Sequence, residues 1–376
     1  MRILAVDVGT GTQDVLLYDS EAELENCVQM VLPSPTLIVA ARIRRATAAG
    51  EPVLLPGVTM GGGPCAWAAD DHIRRGLRVY ATADAARTFD DDLARVAQMG
   101  VTVVGEDEAR RLPAVQRIQL RDFDYDAIQT ALAQFGVEPR LDALAIAVFD
   151  HGDAPPGVSD RAFRFEYIAA TVARSGDGNG LAAFAYRRED IPARLTRMIA
   201  VSRTAPAELP LLVMDTGPAA VLGTLEDPAA REAPAIVANL GNFHTLAFHI
   251  GGRPNGGNGA DGSEHHIHGL FEHHTGELTR ERLEKYLRQL AEGTITNAEV
   301  FADKGHGALV ISRPARAPER LVVVGPRRAL LAGSPLRPYF AVPHGAMMLA
   351  GCFGLLRAAA RTWPRWAADV EAGLGK

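Results

Sequence analysis

The stretch from Arg2 to Ser20, RILAVDVGTGTQDVLLYDS, constrains the fold more than any other. Ile3 to Val8 is an apolar run of strand length, and after Gly9-Thr10-Gly11-Thr12 a second apolar strand runs from Val15 to Tyr18. The pattern is strand, tight loop, strand. Gly9 and Gly11 allow backbone N–H groups to converge on an anion, and Thr10 and Thr12 add hydroxyl donors. Asp7, at the rim of the first strand, is placed to hold a hydrated divalent cation beside that anion. A dinucleotide fingerprint is excluded because Asp14 stands where its third glycine belongs and strand-forming residues follow. A Walker A loop is excluded because no lysine precedes Lys285. Taken alone, the stretch also fits an ordinary Gly-rich hairpin with an acidic residue at its mouth.

The chain carries a second copy of this pattern. Ala235 to His249, AIVANLGNFHTLAFH, aligns without a gap on Ile3 to Leu17 at an offset of 232 positions, with Asn239 on Asp7, Gly241 on Gly9 and Asn242 on Thr10. Two such hairpins far apart in one chain suggest duplicated domains whose loops face one cleft.

With these loops, the chain resembles the actin-like ATPase superfamily of sugar kinases, seventy-kilodalton heat-shock chaperones and actin. Two further segments strengthen the resemblance. Met214 to Gly223, MDTGPAAVLG, is similar to the connecting helix headed by a catalytic aspartate. Leu321 to Leu331, LVVVGPRRALL, with Pro343 to Gly351 behind it, is similar to the adenosine-binding segment and closing helix. More narrowly, the chain resembles an actin-like family labelled pyruvate formate-lyase activating enzyme-like. Read literally, that label needs closely spaced cysteines for an iron–sulfur cluster, whereas the cysteines here are Cys27, Cys65 and Cys352.

The resemblance implies an α/β fold of duplicated ribonuclease H-like domains with an interdomain nucleotide cleft. The first domain would span 1–205, with an α/β insertion at about 50–115, and the second 206–376, ending in a closing helix. ATP and Mg2+ are the implied cofactors. Asp7 would position the metal, with help from Asp150. Gly9, Thr10, Gly11, Thr12, Gly241, Asn242, His244 and Thr245 would hold phosphates, and Gly325 and Pro326 would flank adenosine. Asp215 would orient a nucleophile, or else only cap its helix. The function implied is phosphoryl transfer to a small acceptor or to water; the alternative is a nucleotide-gated regulator of a partner protein with little turnover. The second loop departs from the superfamily pattern, because Asn239 cannot hold a cation as a carboxylate would.

Composition narrows the partners. A net charge of −6 offers no basic face for nucleic acid or an anionic membrane. No apolar run reaches the length of a membrane span and no leader pattern opens the chain, so a cytoplasmic location is expected. The acceptor, a small molecule or a protein, is not legible, and self-association into a homodimer is compatible with the sequence.

Along the chain, Thr36 to Ala49 reads as a helix closed by Gly50. Two βα units follow: a strand at Pro52 to Leu55 with a helix from Cys65 to Arg75, then a strand at Arg78 to Ala81 with a helix from Asp84 to Met99. Between the first strand and its helix, Gly57 to Pro64 reads equally as an anion site at a helix N-terminus and as a tight turn. Leu141 to Phe149 is a buried-strand pattern that delivers Asp150 and His151 to its C-terminal edge, where metal or proton-transfer residues gather in open α/β sheets; a structural turn is the alternative. Gly251 to Gly276 is rich in glycine and histidine. His265, His266 and His268, beside Glu264, read as metal ligands or as solvated histidines next to a surface loop at Gly256 to Gly262. His273 and His274 precede a helix from Glu277 to Glu292 and are candidates to enter the cleft, as is His306.

Overall fold

The computed structural model describes residues 1–138, 140–175, 180–231, 235–251, 266–313 and 317–375. The candidates Glu264 and His265, and the loop Gly256 to Gly262, lie outside the described residues.

Strands β1 (Arg2–Val8) and β2 (Thr12–Asp19) form the expected hairpin, and β3 (Val28–Pro33) adds to it. Helix α1 (Pro35–Ala49) follows, with Ser34 accepting the Leu37 N–H at its start and Gly50 left-handed at its end. A small parallel sheet then interrupts the chain: β4 (Val53–Leu55), β5 (Val79–Thr82), β6 (Val101–Val104) and β7 (Gln116–Arg117), in the order β6-β5-β4-β7. Helix α2 (Pro64–Arg74) packs beside it. The helix expected from Asp84 to Met99 is broken into Ala83–Ala86 and Leu93–Gln98. The cause is local: the Asp90 carboxylate accepts the Asp92 N–H and Asp92 caps the second piece. Gly57 to Pro64 behaves as a tight turn, because Asp122 accepts the Gly61 N–H, Thr88 the Met60 N–H and Thr36 the Cys65 N–H.

The chain then returns to the first sheet through β8 (Ala143–Val148), β9 (Ala185–Arg187) and β10 (Leu211–Asp215), giving the order β3-β2-β1-β8-β10-β9. Two helices lie between these strands, α3 (Asp160–Ser175) and α4 (Thr196–Thr204). The first sheet therefore extends through Asp215, past the boundary expected at 205, because β10 pairs in parallel with β8.

After α5 (Thr216–Thr224), a second six-stranded sheet is built from β11 (Ala235–Leu240), β12 (His244–Gly251), β13 (His266–His274), β14 (Gly307–Val310), β15 (Arg320–Val324) and β16 (Tyr339–Phe340), in the order β14-β13-β12-β11-β15-β16. Each large sheet has an antiparallel hairpin whose first strand pairs in parallel with a later one, β1 with β8 and β11 with β15. The two turns make the same bond: Gly9 N–H to the Thr12 carbonyl and Gly241 N–H to the His244 carbonyl, both 2.9 Å. That equivalence keeps the offset of 232 read from the sequence.

Three other expectations are corrected. The His-rich segment contains a nine-residue buried strand, β13. The helix after it starts at Arg280, not Glu277, and is capped by Thr279. The turns Arg328–Leu331, Pro343–Gly345 and Met347–Leu349 are 3-10, so the closing helix α6 begins only at Ala350 and ends at Thr362. Helices α5 and α6 cross at glycines. A Cβ on Gly223 would lie 1.7 Å from the Ala350 carbonyl oxygen, and one on Gly354 would lie 1.9 Å from that of Ala219. The crossing brings the start of α6 under the β1–β2 turn, where a Cβ on Gly351 would fall 1.9 Å from Asp7 Oδ2. No described helix is long and apolar enough to cross a membrane.

Candidate functional site

The two hairpin turns meet. A Cβ added to Gly11 would sit 2.1 Å from Nδ2 of Asn242, so the loops touch across the gap between the sheets. Trp67 of α2 stacks on Phe243 with ring centroids 5.5 Å apart, which ties the small sheet's helix to the second loop. Behind this contact lies a cavity of about 70 Å³ lined by Asp7, Gly9, Thr10 and Thr12 from one side and Asn239, Gly241 and Asn242 from the other. Gly325, Pro326, Met347 and Met348 close its far end. Gly325 has φ +101°, and a Cβ there would meet the Leu240 carbonyl oxygen at 2.5 Å, so the turn after β15 can approach β11 only without a side chain.

Two carboxylates face this cavity. Asp7 and Asp14 are cross-strand partners in the first hairpin, and both are buried. Burial pushes Asp7 up to about 7, with Asp215 adding to the rise and the Thr216 hydroxyl, donating to Asp7 Oδ1 at 2.5 Å, opposing it. Burial and the neighbouring Asp7 push Asp14 up to about 8. Asp14 Oδ1 has no hydrogen-bond partner among the described residues. A buried acidic pair with an unpartnered oxygen, and no cationic side chain among the described residues lining the cavity, has the chemistry of a hard-cation site. Asp14 was not among the expected residues, although the register of a tight hairpin on Asp7 puts it opposite.

Asp215 and Asp150 lie elsewhere. Asp215 caps α5, accepting the Gly217 N–H at 3.1 Å, and is fully buried. Both its oxygens are held by Arg164 of α3, at 2.6 and 3.2 Å. Arg164 also reaches Glu272 of β13 through three contacts of 2.8–3.1 Å, donates to the Asp150 carbonyl and lies 3.5 Å over the Phe149 ring. Burial alone pushes Glu272 up and Arg164 down, but the paired contacts to two carboxylates hold the guanidinium charged and raise Arg164 overall. The Asp150 carboxylate accepts the N–H groups of Gly152 and Met198, both at 2.8 Å, and so caps α4. Each of its two oxygens accepts one backbone N–H, and Asp150 does not line the cavity with Asp7 and Asp14.

The remaining candidates form a second group. His244 stacks on Phe149, with centroids 3.8 Å apart and planes at 9°, and His151, His274 and His306 surround it. Thr245 is buried and pairs with the Thr275 hydroxyl at 3.0 Å, so neither His244 nor Thr245 lines the cavity between the turns. His266 and His268, at the opposite end of β13, share the Ser312 hydroxyl.

A family profile covers residues 60–330, and its description reads "Putative pyruvate format-lyase activating enzyme (DUF1786)". The chain belongs to this family. Within DUF1786, the literal meaning of that description does not fit this member's cysteines, which are all buried and free. Cys27 contacts Asp19 and Cys352 contacts the Asp14 carbonyl, positions five residues apart on β2 and so roughly 16 Å apart, while Cys65 sits on α2. They cannot ligate one cluster. Among solved structures, this DUF1786 chain is similar to a crystal structure described as an exopolyphosphatase-like protein, with 12% identity over 99% of this chain and 91% of that one. The TM-score is 0.31, and a likeness at that level carries no argument. No curated protein matches the sequence.

Proposed function

We propose that this DUF1786 member is an actin-like protein of duplicated ribonuclease H-like domains that binds ATP with Mg2+ between its two hairpin turns and transfers the terminal phosphoryl group to a small acceptor or to water. One observation carries the reading: the turn at Gly9 to Thr12 and the turn at Gly241 to Asn242, equivalent in sequence and in hydrogen bonding, close on one cavity beside Asp7 and Asp14. The common strand order of the two large sheets supports the duplication. Asp7 and Asp14 would hold the Mg2+, and a bound cation of that kind neutralises phosphate charge. The Thr10 and Thr12 hydroxyls and the turn N–H groups would bind phosphate oxygens, and Gly325 and Pro326 would pack on adenosine. A nucleotide needs roughly 300 Å³ or more, so the cavity of about 70 Å³ must widen to admit one, which requires Gly11 and Asn242 to separate. A cytoplasmic location is part of the proposal.

The second reading, a nucleotide-gated regulator with little turnover, has one observation in its favour. Asp215, the residue that would activate a nucleophile, has both oxygens bound to Arg164. Calorimetric titration of ATP with and without Mg2+, alongside a phosphate-release assay, separates the readings. Mg2+-dependent ATP binding that is lost in Asp7→Asn is expected under both. Turnover beside it selects the enzyme, and its absence selects the regulator. Wild-type protein that binds no ATP sinks both readings.

A further inference from the structure

We infer that His151, His244 and His306 form a binding site for a first-row divalent metal ion of the zinc class, separate from the carboxylate pair at Asp7 and Asp14. Their ligand-capable nitrogens all lie within 4.8 Å of one another. Topology explains the convergence. His244 begins β12 and pairs across with His274 at the end of β13, while His306 leads into β14, anchored by its N–H to the Glu272 carbonyl. Three neighbouring strand ends of the second sheet thus present histidines in a row. His151 follows β8 of the first sheet and meets them from the other side, its ring 6.0 Å from that of His244 and 6.2 Å from that of His306.

The surroundings suit a cation. His306 is 1% exposed, and neither of its ring nitrogens has a hydrogen-bond partner among the described residues; Nε2 of His244 is likewise unpartnered. A buried polar atom left without a partner is costly, and a metal bond would satisfy one nitrogen on each ring. Arg164 does not repel a cation on balance, since Asp215 and Glu272 on it give the triad a net charge of −1. Nitrogen ligands without a carboxylate favour zinc, cobalt, nickel or iron(II) over magnesium. Zn–N bonds of 2.0–2.1 Å place tetrahedral ligands about 3.3 Å apart, which small ring rotations from the observed separations supply. His151 retains an exposed face, leaving an entry path and an open position, and His274 lies beside His306 at 4.6 Å. Occupancy would link the two sheets directly.

The inference does not rest on nucleotide binding, and the test avoids activity altogether. Full-length protein stripped with chelator is titrated with Zn2+ by calorimetry and with Co2+ by visible absorption. One equivalent is expected to bind, with Co2+ bands of a four- or five-coordinate nitrogen site and a rise in melting temperature. His306→Gln and the solvent-edge variant His151→Gln are expected to weaken Zn2+ binding about 100-fold or more, and the remote His268→Gln to leave it unchanged. His151→Gln guards against a folding defect in the buried variant. Absence of stoichiometric binding in the wild type, or His151→Gln and His306→Gln binding as tightly as wild type, would overturn the assignment.

Discussion

Replacing Arg164 with methionine is expected to destabilise the folded chain by about 3–5 kcal/mol, the largest single effect anticipated here. Arg164 is fully buried and engages Asp215 on the first sheet and Glu272 on the second, so its removal strands two carboxylates away from water. Phe149 loses the guanidinium over its ring as well. The cost comes from the orphaned charges more than from the attraction that is lost. The triple variant Arg164→Met, Asp215→Asn, Glu272→Gln is therefore expected to recover most of it. Urea denaturation at neutral pH measures both. A single variant within about 1 kcal/mol of wild type, or a triple variant no better than the single one, contradicts the picture of the triad as a charged clamp between sheets.

The second large effect is a stability that depends jointly on pH and Mg2+. In the folded chain Asp7 and Asp14 hold their protons up to about 7 and about 8, whereas in the unfolded chain both lose them near the ordinary carboxylate value. Between about pH 4 and pH 8 the folded state thus binds more protons than the unfolded one, and rising pH destabilises the metal-free protein through this pair. The contribution is fully favourable to folding below the unfolded value and is lost progressively up to the folded one. Mg2+ reverses it by binding the ionised pair. It is expected to raise the melting temperature at pH 8 by several degrees and to do little at pH 5.5. Asp14→Asn is expected to make the metal-free protein more stable at pH 8, by an amount on the order of 2 kcal/mol, and to abolish the Mg2+ increment. Thermal melts at the two pH values decide it; a Mg2+ effect of equal size at both, or one that survives in Asp14→Asn, removes the pair from cation binding.

Local pattern and distant register account for what could be read ahead of the structure. The hairpin of β1 and β2, its counterpart 232 residues on and the capped ends of α1 all follow from periodicity and turn residues, which act within a few positions. Arg164 was missed because an arginine on an amphipathic helix ordinarily looks solvated. Yet it lies on the buried stripe of α3 with Phe165, Ile168, Thr171 and Val172, and that spacing was a usable signal. Asp14 stands where the third glycine of a dinucleotide motif would, and only the cross-strand register of the hairpin shows that it faces Asp7. The row of His244, His274 and His306 depends on which strands neighbour one another, which local patterning does not encode. The placement of Asp150 and Asp215 was legible at strand ends, whereas their partners, the α4 N–H groups and Arg164, come from elements far along the chain.

Entry of ATP between the two turns requires them to open and close around it, and a reversible cross-link tests this most directly. A Cβ on Gly11 would lie 2.8 Å from Cγ of Asn242, so cysteines at the two positions are within reach of a disulfide. In the double variant Gly11→Cys, Asn242→Cys, mild oxidation is expected to form the bond and abolish Mg2+-dependent ATP binding, and reductant to restore it. Thiols that never join under oxidant, or ATP binding that is as tight in the cross-linked protein as in the reduced one, would show that the nucleotide does not enter between these turns.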